Sequence, residues 1–145
     1  MIARMKLPCL AGGLLLAVTV QASQWFSLAS PDSRAADTLV EVDLATVRLR
    51  EGSGEAVIRV THDVLQPHAA GFGYRSFVAT AQIDCQRQSI SLVSAAYFAR
   101  PRGEGVRVGA DSSGRQSGMP ARTLESIPPH SRQAIIKAAC SAPTS

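Results

Sequence analysis

The chain has 145 residues, of which 46% are hydrophobic and 18% charged, and its formal net charge is +4 at pH 7. This length allows one domain with a core of its own, so the chain does not need a metal in order to fold. Without a predicted 22-residue leader that contains Arg4 and Lys6, 15 − 2 = 13 basic residues face 11 acidic ones, and the remaining net charge of about +2 argues against a nucleic-acid partner.

The amino terminus has the pattern of an export signal. Arg4 and Lys6 precede an apolar run over residues 7–20, and Ala22 completes a small-residue cleavage site. The run has about 14 residues, whereas a membrane-spanning helix needs roughly 20. We therefore predict a signal peptide over residues 1–22, a single mature domain over residues 23–145 and no membrane span. The alternative is an uncleaved anchor.

The three cysteines indicate the compartment. Cys9 lies at the beginning of the apolar run, whereas lipidation requires a cysteine at its end, so we expect Cys9 to leave with the signal and the domain to have no lipid anchor. Cys85 and Cys140 are then the only possible pair, and an exported protein keeps such a disulfide. We expect the protein in the periplasm or outside the cell.

The first half of the mature chain alternates as antiparallel strands do. Short apolar segments over residues 25–28 and 39–44 predict the first two strands. Cleavage of the signal peptide after Ala29 instead of Ala22 would remove the first of these segments. A glycine-containing reversal leads to a longer strand over residues 56–65. The side chains expected to point inward from the second and third strands are Val40, Val42, Leu44, Ile58, Val60, His62 and Val64.

The clearest alternation runs over residues 75–85 and places Cys85 on the buried face. A short turn leads into a strand over residues 89–98, so the two strands are expected to be antiparallel neighbours. The inward residues expected from these two strands are Phe77, Ala79, Ala81, Ile83 and Cys85, followed by Ile90, Leu92, Ala96 and Phe98.

The strand pattern ends after residue 100. Val106 and Val108 suggest a short strand, and the glycine-rich residues 109–118 predict a mobile loop. Helical spacing of apolar residues predicts one helix over residues 132–140. A bond from Cys85 to Cys140 would hold this helix against the sheet.

No pattern of residues indicates catalysis. His62, His68 and His130 lack zinc-ligand spacing, and His62 shares the phase of core residues. Asp43 and Asp84 could form an acid–base pair, but aspartates at strand ends more often accept turn hydrogen bonds. We expect no enzyme activity, no catalytic residue, no metal and no cofactor.

Arginine is the most suggestive residue type, because the mature chain has twelve arginines and one lysine, Lys137. Five of them lie near Glu104 and Asp111 and give a local excess of +3: Arg100, Arg102, Arg107, Arg115 and Arg122. Such a segment could bind an acidic protein, an acidic glycan or phospholipid head groups. A solvated loop and the codon bias of a GC-rich genome are the alternatives. Of these arginines, the first four are the candidate binding residues.

The order of landmarks resembles the surface-adhesin protein E family of small exported bacterial domains. The residues that carry the resemblance are Trp25, a Val-x-Val-Asp strand over residues 40–47, Tyr74-Arg75-Ser76, Ile83-Asp84-Cys85, Tyr97, Ile127-Pro128-x-x-Ser131 and Ala138-Ala139-Cys140. The resemblance implies an α+β fold, with an antiparallel sheet of about six strands, one C-terminal helix packed on it and the Cys85–Cys140 disulfide.

The name-giving members of that family are outer-membrane lipoproteins that bind host matrix and plasma proteins and can dimerise. This chain differs from them, because it has no lipidation cysteine and has Leu124-Glu125 where relatives often carry an aromatic residue. Our first hypothesis is a non-catalytic, exported binding domain of the bacterial envelope whose glycine- and arginine-rich loops or exposed strand edge contact a protein or glycan. An exposed edge is also a surface for self-association. The alternative is a structural or stress-associated envelope protein with no ligand of its own.

Overall fold

The computed structural model of the protein describes residues 22–28, 38–113 and 119–141. Cys9 and the rest of the predicted signal peptide, apart from Ala22, lie outside these ranges. The described elements are strands β1 (Trp25–Ser27), β2 (Thr38–Arg50), β3 (Ser53–Pro67), β4 (Gly73–Asp84), β5 (Ser89–Phe98) and β6 (Arg107–Ser112), a 3₁₀ helix (Pro101–Gly103), and helices α1 (Ala121–Glu125) and α2 (Pro129–Cys140).

The strands form one antiparallel sheet in the order β1-β2-β3-β4-β5-β6, so every strand pairs with its neighbour in sequence. The prediction of about six antiparallel strands is confirmed. Because each connection is short, neighbouring strands pair without a crossover. The predicted C-terminal helix is present as α2 and begins at Pro129 rather than Arg132, with proline in the first turn, where its missing N–H costs no hydrogen bond.

The core lies between one face of the sheet and the helical segment. Phe77, Ala79, Ala81 and Ile83 are all buried, as the alternation of β4 predicts. The side chains that meet them from residues 119–141 are Ile127, Ile135, Ile136 and Ala139. Alternate residues of each strand therefore face either α2 or the opposite side of the sheet.

A disulfide joins Cys85, directly after β4, to Cys140 at the end of α2, with the two Cα atoms 5.7 Å apart. The predicted pairing is confirmed. The bond closes a loop with a sequence separation of 55. In the chain-entropy model such a closure stabilises the fold by roughly 4 kcal/mol.

Four of the inward residues expected from the sequence were predicted wrongly, because bulges interrupt the alternation. Leu44 is 46% exposed and Val64 is 63% exposed. Residues 44–47 of β2 lie opposite one residue of β3, and residues 62–65 of β3 lie opposite one residue of β4. Extra residues in one strand change which side chains point inward after them.

The third bulge lies in β5, where Val93 is the extra residue between the pairs Thr80–Ser94 and Ala81–Leu92. The predicted inward residues Ala96 and Phe98 therefore lie on the other face, and Ala95 and Tyr97 are buried in their place. Tyr97 is fully buried in the core.

The predicted loop over residues 109–118 is wrong in its first part, because residues 109–112 belong to β6. Gly109 is needed there, since a Cβ at this position would lie 2.3 Å from the Phe72 ring. The rest of the predicted loop, residues 114–118, lies outside the described residues. Helix α1 was not predicted from the sequence.

Candidate interaction surface

The face of the sheet directed away from α2, called here the open face, is built from two rows of paired residues. One row is Glu41, Arg59, Val78, Ala96 and Ala110, and the next is Asp43, Val57, Thr80, Ser94 and Ser112. Toward β5 and β6 the side chains in both rows are small. They form a groove with a volume of about 390 Å³ that Arg107 also lines.

The segment of residues 100–107, which leads from β5 into the first residue of β6, is called here the arginine loop and carries Arg100, Arg102 and Arg107. It lies over the end of the open face, and two hydroxyl side chains of the sheet hold its backbone. Ser76 Oγ donates to the Arg100 carbonyl and accepts from the Gly103 N–H at 2.8 Å, and the Arg102 N–H donates to Thr61 Oγ1 at 3.0 Å.

Arg59 also holds the arginine loop, through Nη1, which donates to the Arg102 carbonyl at 3.2 Å. Its own charge is neutralised, because Nε lies 2.7 Å from Glu41 Oε2 and the guanidinium stacks 4.2 Å from the centre of the Trp25 ring. This cluster joins β1, β2, β3 and the loop. Arg59 therefore serves the structure and leaves no charge available to a partner.

Arg102 has an unusual backbone conformation within the loop. Its φ is +59°, in the left-handed region that glycine adopts readily and other residues rarely do. Gly103 and Gly105 follow with φ of +72° and +78°. A non-glycine residue in this conformation costs about 1 kcal/mol or more. The fold therefore places an arginine where glycine or asparagine would cost less.

Arg100, Arg102 and Arg107 are all exposed residues. Among the described residues the ion pairs of arginine are Arg59–Glu41 and Arg87–Asp84, and Asp111 is bonded to His68, so none of these three arginines belongs to an ion pair. Glu104 is the acidic residue of the same loop. The loop therefore presents an excess of positive charge on a backbone that the sheet holds in place.

From the sequence alone, Asp111 counts as a counter-charge to these arginines. In the structure Asp111 faces the other side of the sheet, toward α2. Its Oδ2 accepts from His68 Nε2 at 2.9 Å and from the Tyr97 hydroxyl at 2.9 Å. The proton of His68 is on Nε2, because Nδ1 accepts from the Ala70 N–H at 3.1 Å. Tyr97 also bonds Thr123 Oγ1 at 2.8 Å. Asp111 is thus used inside the fold and does not offset the arginine loop.

This internal network connects the β3–β4 turn, β5, β6 and α1. Burial raises the pKa of Tyr97, and burial together with the charge of Asp111 raises the pKa of Tyr74. Both phenols therefore stay protonated near neutral pH. The sequence did not reveal the network, because His68 and Asp111 are 43 positions apart and no local spacing connects them.

A profile of the surface-adhesin protein E family matches residues 25–141. This chain belongs to that family. The suspected resemblance is confirmed, and the match extends from the first residue of β1 to the residue after α2. No curated protein and no solved structure matched the chain significantly. Over the described ranges, no helix of this adhesin E domain is long and apolar enough to cross a membrane.

In this adhesin E domain, three of the four arginines predicted as binding residues come together. Arg100, Arg102 and Arg107 share the arginine loop, whereas Arg115 lies outside the described residues. Arg122, which the sequence grouped with them, is in α1. Arg122 therefore lies on a separate element, which the chain reaches after β6.

The two aspartates considered for acid–base chemistry are separate and hold turns. Asp43 Oδ1 accepts from the backbone N–H groups of Gln24 and Ala45. Asp84 Oδ1 accepts from those of Gln86 and Arg87. Among the described residues, no three histidine, cysteine, aspartate or glutamate side chains lie close enough together to hold a metal ion.

Proposed function

We propose that this protein is an exported, non-catalytic binding domain whose arginine loop contacts an acidic protein or glycan. Membership in the surface-adhesin protein E family and the disulfide support export and a role in contact. We place the domain in the periplasm or outside the cell, without a lipid anchor.

One observation carries the proposal: three exposed arginines without an ion pair among the described residues lie on a loop whose backbone is bonded to Ser76, Thr61 and Arg59. Binding to a loop that is already ordered loses less conformational entropy than binding to a mobile one. Arginine is suited to the partner, because its planar guanidinium binds carboxylate and sulfate groups through two hydrogen bonds.

The test compares two variants that lose the same charge. Arg100→Ala/Arg102→Ala/Arg107→Ala removes the charges of the arginine loop, and Arg50→Ala/Arg87→Ala/Lys137→Ala removes three exposed charges elsewhere. Both are applied to heparin-agarose and used in pull-downs from envelope extract and from host matrix proteins. We expect the loop variant to elute at lower salt and to lose its partners, while the control behaves as the wild type does.

Equal elution and equal partner recovery from the two variants would contradict the proposal. Net charge alone would then explain retention, and the alternative of a structural or stress-associated envelope protein would be favoured. Activity toward a substrate would contradict the non-catalytic part.

A further inference from the structure

Strand β6 forms one edge of the sheet over the described residues. The Ser113 N–H donates to the Val93 carbonyl at 2.8 Å, which fixes the alternation of hydrogen-bonded pairs between β5 and β6. By that alternation Asp111 and Gly109 direct their backbone groups toward β5, whereas Ala110 and Ser112 direct theirs away from the sheet. The edge thus presents two N–H and two C=O groups in strand geometry.

The side chains at this edge leave room for another strand. Ala110 and Ser112 are the last residues of the two rows of the open face, and the groove of about 390 Å³ lies directly behind them. Natural edges are commonly protected by lysine, proline or an inward charge. Strand β6 has no lysine or proline. Its inward charge is Asp111, which is already bonded to His68 and Tyr97 within the fold.

The opposite edge differs. Strand β1 has three residues, and Trp25 within it is covered by Arg59. Strand β6 has six residues, with exposed Arg107 at its start and the rest of the arginine loop immediately before it. A strand added to β6 would therefore have positive charge at one end only.

We propose that β6 binds an extended peptide segment by strand addition, antiparallel to β6, with acidic residues at the carboxyl end of the segment. In that orientation the carboxyl end lies at Arg107, so the backbone supplies the pairing and the arginine loop selects the charge. This inference rests on the proposed function and names the class of partner: a protein segment rather than a glycan.

The probe is the peptide Ser-Thr-Val-Thr-Val-Thr-Ser-Asp-Glu-Glu. One matched peptide carries the acidic residues at its amino end, and another is N-methylated at alternate residues, so that it cannot complete the ladder. Amide hydrogen exchange of the folded domain is followed by NMR with each peptide. We expect exchange at Ala110 and Ser112 to slow by about tenfold or more with the probe, while Gly109 and Asp111 change little because β5 already protects them.

Two variants locate the contact. Ala110→Pro removes an N–H that points away from β5, so the β5–β6 ladder is retained, and we expect probe binding to weaken by about tenfold or more. Arg107→Ala should weaken the probe more than the peptide with acidic residues at its amino end. The melting temperature shows whether each variant folds, and the N-methylated peptide tests the same contact without altering the protein.

Equal binding of the N-methylated peptide would overturn the inference, as would protection at residues 25–27 instead of Ala110 and Ser112. A dimer in sedimentation equilibrium that protects these amides without peptide would overturn it as well, because a second copy would then occupy the edge. If heparin and matrix proteins still require the arginine loop, the proposed function stands although the strand addition fails.

Discussion

The two faces of the sheet come from the same strands but treat their charged groups differently. On the face toward α2, Asp111 is paired with His68 and Tyr97, and the disulfide holds the helix in place. Over the end of the open face, the arginine loop is bonded to the sheet through its backbone while its three arginines stay exposed. The first region uses its polar groups for stability, and the second keeps them available for contact.

Arg59 sharpens this comparison, because it belongs to the open face and is nevertheless neutralised by Glu41 and covered by the Trp25 ring. Its side chain is 14% exposed. Arg59 thus differs from the arginines of the loop because a carboxylate and an aromatic ring contact it. The face on which an arginine lies does not by itself decide whether its charge is available.

The disulfide should give the largest effect on stability. We expect Cys85→Ser, Cys140→Ser and the double variant to lower the melting temperature by about ten degrees or more, because the loop closure stabilises the fold by roughly 4 kcal/mol. Scanning calorimetry under non-reducing conditions measures this. A change of only a few degrees would mean that the link contributes little.

The internal network should give the next largest effect. Tyr97→Phe removes hydrogen bonds to Asp111 and Thr123, and we expect a loss of about 1–2 kcal/mol in the free energy of unfolding. Tyr74→Phe is the matched control, since among the described residues its hydroxyl has no hydrogen bond. Equal losses in urea denaturation would show that aromatic packing, not the network, is responsible.

His62 makes stability depend on pH. It is 3% exposed, its Nε2 has no hydrogen-bond partner among the described residues, and burial lowers its pKa from the ordinary value of 6.5. The unfolded chain therefore binds a proton more readily than the folded one, and stability falls as the pH decreases below 6.5.

We expect His62→Leu to reduce this dependence, measured by urea denaturation between about pH 7 and pH 5. The other titrating groups are shared by both proteins, so the difference in slope belongs to His62. Parallel slopes would contradict the assignment.

Arg102 should have the smallest effect on stability. Asparagine tolerates the left-handed conformation, so we expect Arg102→Asn to leave the free energy of unfolding within about 0.5 kcal/mol of the wild type or to raise it, while heparin elution shifts to lower salt. Arg50→Asn is the control for charge. A clear destabilisation would give the Arg102 side chain a structural role.

Several parts of the fold could be predicted because their signals are local. The alternation over residues 75–83 reports the face of β4 directly, and the spacing of apolar residues before Cys140 reports α2. With Cys9 assigned to the signal peptide, the remaining two cysteines allow one pairing.

The sequence could not reveal the bulges, because the extra residue of a bulge, such as Val93, is of a type that also occurs in regular strands. It therefore placed Phe98 in the core and missed Tyr97. The arginines of the candidate surface could be recognised from the sequence, but the hydrogen bonds that hold its backbone could not. The bonds that order it, from Thr61 and Ser76, span 41 and 27 positions and depend on the assembled sheet.

The most direct test of the contrast between the α2 face and the arginine loop is the free energy of unfolding of Arg100→Ala/Arg102→Ala/Arg107→Ala, measured in urea beside the wild type. The account predicts a difference within about 0.5 kcal/mol, because the three arginines are exposed and form no ion pair among the described residues. A loss of more than about 2 kcal/mol would contradict it, since the three side chains would then stabilise the fold instead of remaining available to a partner.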